Sequence, residues 1–360
     1  MTTDADDDLL RGEVVRLLNA DGGTAAPPDK ALLEETYDRA LWARLCEAGY
    51  LGVLVPEAAG GLGLSFAEAC QVAEEIGAVV GAVPFTPTAC TLAAIARYAE
   101  PAEAERWIGK AMDVGTIATA AVFEAGDGGL PARFATTFAD GRVSGAKTLV
   151  LAGAFAEVAV VSCADRSGAP ALALVDLNGP GVTRRLSASL EKRRGYADIA
   201  FDKAPASRLC APASDDLLLD LALMTAFEQV GGSRACQATS KAYALERRAF
   251  GQPIGAFQSI KHLLADLYVE LEIARGAALS ALDATAAERG LAVAAARLAA
   301  TRAYDASAQE NIQIHGAAAV ITEAPHHLHY RRARCLGLEW GGAAMWRTRL
   351  LDAVTRRNAA

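Results

Sequence analysis

Residues 245–258 read LERRAFGQPIGAFQ, and this short stretch decides how the rest of the chain is read. Arg247 and Arg248 end a helix-like run, and Phe250, Gly251 and Pro253 interrupt it. A new helical pattern starts near Ser259. Glycine admits backbone conformations that other residues avoid, and proline lacks a backbone donor, so the pair punctuates a helix. The stretch is therefore a corner between two helices. A guanidinium at such a corner can fork onto a diphosphate, and Phe250 offers a flat apolar surface to a ring. Arginines also favour helix C-termini for electrostatic reasons alone.

Downstream and upstream of the corner, residues 213–360 read as helical. One helix is expected from about Asp215 to Ala249. The next carries Ile260, Leu264, Leu267 and Leu271 on one face, and such long helices suit a four-helix bundle. Between residues 113 and 212 the period changes. TIATAAVFEA, ARFATTFAD, RVSGAKTLVLA, EVAVVSCA, ALALVDL and GVTRRLSA are short β-type runs. Clusters such as GDGG, DRSG and NGPG separate them. An antiparallel sandwich- or barrel-like domain follows. Residues 1–112 are helical again. ALWARLCEAGYLGVLVP places Leu41, Leu45 and Ala48 at helical spacing and stops at Gly49. Ser65 and Glu68 form a capping-box pattern, and the helix they open is expected to close at Gly77. The expected fold is mainly α with a central β domain: an N-terminal α-helical domain (1–112), a middle β-barrel (113–212) and a C-terminal four-helix bundle (213–360).

Bulk properties narrow the function. The net charge of −8 argues against nucleic-acid binding, which needs a basic surface. Seven scattered cysteines without a CxxC pair suggest reduced thiols and a cytoplasmic setting. The acidic start MTTDADDDLL is unlike a signal or transit peptide. No apolar run reaches the ~18–20 residues of a membrane span. Neither a Walker A loop nor a GxGxxG after a strand is found, so a nucleotide would be held by other means.

The order helical domain, β domain and helical bundle, followed by RRAFGQPIGAFQ, resembles the acyl-CoA dehydrogenase family. LWARLCEAGYLGVLVPEAAGGLGLS, EEIG, VSGAKTLVLAGAFAEVAVV and NIQIHGAAAVITEAPHHLHYRRAR resemble further family segments in the family's order, over roughly residues 35 to 350. The resemblance implies FAD as cofactor, lying between the β domain and the bundle, with its ADP half reaching the neighbouring subunit. It implies an acyl-CoA substrate, an electron-transfer flavoprotein or similar acceptor, and a homo- or hetero-tetramer. Arg247, Phe250 and Gln258 match positions that contact the neighbour's ADP moiety. Gln313 and Gly316 match a diphosphate-contacting segment whose second glycine is Ala317 here. At the flavin end, Leu149 stands for the family's Trp and Leu151 for its Thr, and the contacting loop is reduced to FEAGDGG, residues 123–129. Phe123, Glu124, Gly126 and Leu149 are the candidates there.

The family reaction requires a carboxylate to take the α proton while a hydride leaves the β carbon. In RCLGLEWGGAAMW, residues 334–346, the family register puts Trp340 in the base's place and Glu339 one residue early. One residue turns a helical side chain by ~100°. A second family solution places the acid on the long helix, where Leu221 falls, with Asp220 adjacent and Glu228 two turns on. Glu339 and Asp220 are thus the catalytic candidates. Three readings stay open: a self-sufficient dehydrogenase, a base-less partner in a heteromeric dehydrogenase, and a non-redox CoA-thioester or flavin binder. Glu323, His326, His327 and His329 could suggest a metal, but their place at a helix start favours surface histidines.

Overall fold

Short runs rich in β-branched and apolar residues form the strands of the middle of the chain, and helices precede and follow them in sequence. A computed structural model describes residues 4–20, 37–126, 133–210 and 214–359. Helices α1 (Asp4–Leu18), α2 (Arg39–Glu47), α3 (Phe66–Ala78), α4 (Phe85–Tyr98) and α5 (Pro101–Val114) come first. Strands β1 (Ala118–Ala121), β2 (Thr137–Ala139), β3 (Arg142–Val150), β4 (Val158–Ala164), β5 (Pro170–Asp176), β6 (Val182–Leu186) and β7 (Ala197–Leu209) follow. Helix α6 (Ser214–Glu246) leads into the short strands β8 (Arg248–Ala249) and β9 (Gln252–Pro253). Helices α7 (Gln258–Leu282), α8 (Arg289–His315), α9 (His326–Leu336) and α10 (Ala343–Ala359) complete the chain. A strand-rich centre thus lies between helical ends. Among the described residues, no helix is long and apolar enough to cross a membrane.

The strands close a ring. β4 pairs β5, β5 pairs β7, β7 pairs β3, β3 pairs β2, and β2 returns to β4 through Thr137 and Ala164. β1 and β6 lie outside the ring on β4 and β7. Every residue of β4 is buried, as a strand flanked on both sides must be. The sheet is mixed, not antiparallel as expected, because β1 runs parallel to β4. The β2–β3 excursion separates them, so their connection is a crossover and not a hairpin. The longest strand, β7, was not among the expected runs. Its burial alternates from Ala197 to Asp202 and breaks at Lys203, which takes a left-handed backbone (φ +49°) beside a register shift.

By compactness the chain divides into two units. One holds Met1–Glu34, Cys70–Gly81 and Ala222–Ala360, and the other holds Glu35–Ala69 and Ala82–Leu221. Within the second unit the capping box forms as expected. Ser65 N–H donates to Glu68 Oε2 (2.7 Å) and Glu68 N–H to Ser65 Oγ (3.2 Å). Gly49 stops α2 with φ +78°. Within the first unit α3 crosses α6 through two glycines. A Cβ on Gly77 would overlap the carbonyl of Glu228, and one on Gly231 would overlap the carbonyl of Glu74. Gly77 is therefore a crossing point and not the expected helix stop; α3 continues to Ala78. Polar pairs line the α6–α8 seam: Ser233 with Ser307 (2.8 Å), Ser240 with Asn311 (3.0 Å) and Gln229 with Thr301 (3.1 Å).

Candidate active site and cofactor corner

Helix α6 ends at Glu246, earlier than the expected Ala249, because Arg248–Ala249 pairs with Gln252–Pro253 in a minimal hairpin. Ile254 N–H donates to Arg247 O (2.8 Å) and closes the corner. Phe250 sits at the tip, 96% exposed, with φ +51°. For a bulky residue that conformation costs about 1–3 kcal/mol. Arg247 and Gln258 are exposed, and neither side chain has a hydrogen-bond or ion-pair partner among the described residues. The corner thus presents a cation and an amide that the described residues leave without partners, and a ring that Phe257 meets edge-on (6.3 Å between centroids).

The end of α8 lies against the end of α6. Tyr243 stacks on His315 (4.3 Å between centroids), and His315 stacks on His326 (3.9 Å). His315 Nδ1 bonds the Asn311 carbonyl oxygen (2.8 Å). Burial pushes His326 down to about 4, and His315 and His327 add to the shift, so the stack is neutral near pH 7. Beyond it Gly316 has φ +65° and open space where a Cβ would stand. Gln313 is exposed. Arg247 and Gly316 are therefore brought to one end of the helices. His329 departs from the surface reading: it is buried, with Nδ1 3.0 Å from the Tyr304 hydroxyl.

The segment carrying Glu339 is a loop after α9, gripped from below by Arg297. This fully buried arginine donates from Nη2 to Leu336 O (2.8 Å) and Glu339 O (2.9 Å), and from Nη1 to Gln229 Oε1. Burial pushes it down to about 10, against the opposing charges of Glu339 and Glu228. Glu339 is 7% exposed and lies in the field of that cation. Trp340 is buried with φ +56°, and Gly341 follows with φ +104°. Glu228 pairs with the fully buried Arg332 (2.9 Å), which also donates to the carbonyls of Val80 and Gly81. Asp220 is half-buried on α6 and acts on the charge of Arg97. Its neighbours Leu221 and Ala222 are buried.

In the other unit, Thr148 N–H donates to Phe123 O (3.1 Å) and ties together the segments that carry Phe123 and Leu149. Beneath them the flavin-end candidate Glu124 is engaged by Lys147, a residue that sequence reasoning left without a role. Lys147, with no exposed surface, donates to Glu124 Oε1 (2.8 Å) and Ser162 Oγ (3.0 Å). Burial lowers the Lys147 pKa while Glu124 holds it up. A single lysine inside the apolar run VSGAKTLVLA was the available signal. Leu149 is 62% exposed with φ +50°, and its N–H is taken by Asp198 Oδ1 (3.1 Å). Leu151 is buried. Gly126 is exposed, and residues 127–129 of the FEAGDGG loop lie outside the described residues.

These residues fit the two halves of FAD unequally. The corner supplies an unpartnered cation, a ring and an amide, which suits an adenosine diphosphate. Phe123 and Leu149 supply apolar surface but no hydroxyl, and the Leu149 N–H is already engaged.

The family descriptions "Acyl-CoA dehydrogenase, N-terminal domain" and "Acyl-CoA dehydrogenase, C-terminal domain" match residues 6–114 and 216–354. Acyl-CoA dehydrogenase IpdE2 of Mycobacterium tuberculosis is 30% identical over 345 residues, 92% of each chain. Acyl-CoA dehydrogenase FadE27 of the same organism is 30% identical over 329 residues, 86% of this chain and 87% of that one. Among solved structures, a variant of the Tcur3481-Tcur3483 steroid ACAD superposes with a TM-score of 0.90 at 27% identity over the whole of both chains. The ChsE4-ChsE5 complex from Mycobacterium tuberculosis superposes with a TM-score of 0.88 at 26% identity, over 99% of this chain and 98% of that one.

Proposed function

Because this chain belongs to the acyl-CoA dehydrogenase family, FAD-dependent oxidoreductases that act on the CH–CH bond of acyl-CoA, we propose that it dehydrogenates an acyl-CoA thioester between the α and β carbons. Its own candidate base is Glu339. Bound flavin supplies the hydride acceptor. Glu339 supports the reading by being a buried carboxylate in the loop after α9, since α-proton abstraction needs a positioned base shielded from water. Arg247 would hold the diphosphate of FAD, Phe250 and Gln258 its adenosine end, and Gln313 and Gly316 the diphosphate from the α8 side. Phe123 and Leu149 would cover the flavin ring. Asp220 is the second acid candidate. The acceptor of the electrons is an electron-transfer flavoprotein or a similar protein. That none of the seven cysteines forms a disulfide supports a cytoplasmic setting.

A second reading is favoured by the unequal fit to FAD. In it the chain is the partner in a dehydrogenase of two unlike chains and offers its Arg247 corner to a flavin that the other chain holds. The ChsE4-ChsE5 and Tcur3481-Tcur3483 neighbours are by name pairs of chains, one of them called a steroid ACAD, which supports both such an assembly and a bulky acyl group. One experiment separates the readings. The chain is purified alone and together with a partner dehydrogenase chain, and flavin absorbance is followed on adding acyl-CoA. If the chain works alone, it is yellow, bleaches, and loses about 100-fold or more of its rate in Glu339→Gln. If colour and bleaching need the partner, and Glu339→Gln leaves the rate of the assembly unchanged, the second reading holds.

A further inference from the structure

Trp340 combines two features that folding alone does not favour. Its backbone is left-handed at φ +56°, a conformation that bulky side chains avoid. Its indole is 4% exposed, and Nε1 has no hydrogen-bond partner among the described residues. The other three tryptophans all donate: Trp42 to Gly115 O (2.8 Å), Trp107 to Glu103 Oε2 (3.1 Å) and Trp346 to Gly341 O (2.9 Å). The fold is thus able to satisfy indoles and leaves this one unmet.

The loop around Trp340 is closely bonded. Arg297 holds the carbonyls of Leu336 and Glu339, and Trp346 holds that of Gly341. Glu339 N–H donates to Cys335 O (3.1 Å), and Gly341 N–H to Leu338 O (3.2 Å). A Cβ on Gly341 would overlap the side chain of Met345. The surroundings therefore impose the strain instead of relaxing it, which is the pattern of a preorganised functional residue. A buried donor inside an apolar ring suits a ligand that is itself apolar and carries one oxygen acceptor.

We infer that Trp340 is a substrate-specificity residue whose Nε1–H donates a hydrogen bond to an oxygen borne by the acyl part of the bound thioester. This rests on the acyl-CoA reading above. A site with an unmet donor favours a ligand with an acceptor over its deoxygenated analogue, because the analogue leaves the donor unpaired.

The test uses the assembled holoenzyme with octanoyl-CoA and oxo-octanoyl-CoA isomers that carry the ketone at successive chain carbons. Wild type should bind at least one isomer about tenfold more tightly than octanoyl-CoA, about 1.4 kcal/mol. Trp340→Phe keeps the ring, removes the N–H, and should abolish that preference without lowering the melting temperature. A measurement on wild type alone covers the case in which the variant does not fold. In a 15N-tryptophan spectrum one indole N–H signal should move downfield with the preferred isomer and stay in place with octanoyl-CoA. The inference is overturned if no isomer is preferred, if the preference survives Trp340→Phe, or if no indole signal moves. Failure of the dehydrogenase reading looks different: no thioester bleaches the flavin of any assembly.

Discussion

Three bulky residues stand in the left-handed region at the three places singled out for chemistry: Leu149, Phe250 and Trp340. Each was visible in the sequence as a residue type, and none as a strained backbone, because φ is set by the bonds around a residue and not by its identity. Glu124 teaches the same lesson in electrostatics. Burial alone would raise its carboxyl. The hydrogen bonds from Lys147 and from the backbone of Ala135 and Thr136 outweigh that and hold it at about 2, below its ordinary 4.5. A group whose folded pKa is depressed stabilises the fold above its unfolded value and loses that contribution as pH falls through the folded one. Unfolding free energy should therefore drop between about pH 4.5 and 2, the two values of this carboxyl. In Glu124→Gln, urea titrations from pH 7 down through that window should show lower stability at neutral pH and a shallower fall. Parallel curves for the two proteins would mean that the Lys147 pair adds nothing to stability.

Elements were the most legible level. The capping box at Ser65 and the stop at Gly49 follow from local chemistry, and both form. The misreadings arise where a distant segment overrules the local signal. Gly77 reads as a helix end, yet it lies inside α3 because the carbonyl of Glu228 passes where a side chain would be. Alanine there would gain about 1 kcal/mol of helix propensity. Overpacking should outweigh this by costing about 1–3 kcal/mol, and more if the helices cannot separate. Gly77→Ala is therefore expected to lower the urea midpoint. Gly109 on α5 has open space at its Cβ position, so Gly109→Ala should add up to ~1 kcal/mol of stability and raise the midpoint accordingly. Equal effects at both positions would refute the crossing argument. Strand β7 was hidden for a related reason. Its alternation is broken at Lys203 by a bulge, and past that point pairing with its neighbours in the ring defines the strand.

For the whole molecule, helix α7 carries Leu267 and Leu271 inward and leaves Tyr268, Val269, Ile273 and Leu279 exposed on one broad face. So wide an apolar face on a charged protein is expected to be an interface, and one structural neighbour is by name a complex of two chains. Ile273→Glu should lower the assembly mass measured by light scattering while leaving the circular dichroism of the chain unchanged; an unchanged mass would show that this face is not the interface. By itself the sequence determined the helix–barrel–helix order, the family, and the corner of Arg247, Phe250 and Gln258. Periodicity, caps and breakers are local, so they survive without knowledge of neighbours. Only the tertiary structure decided that Arg332 is buried and paired with Glu228, that Arg297 is buried on backbone carbonyls and the Gln229 amide, that Lys147 lies beneath the Phe123 and Leu149 segments, and that Trp340 is held with its N–H unmet. Burial, pairing and backbone strain depend on what distant parts of the chain bring to the same place, and no single segment carries that information.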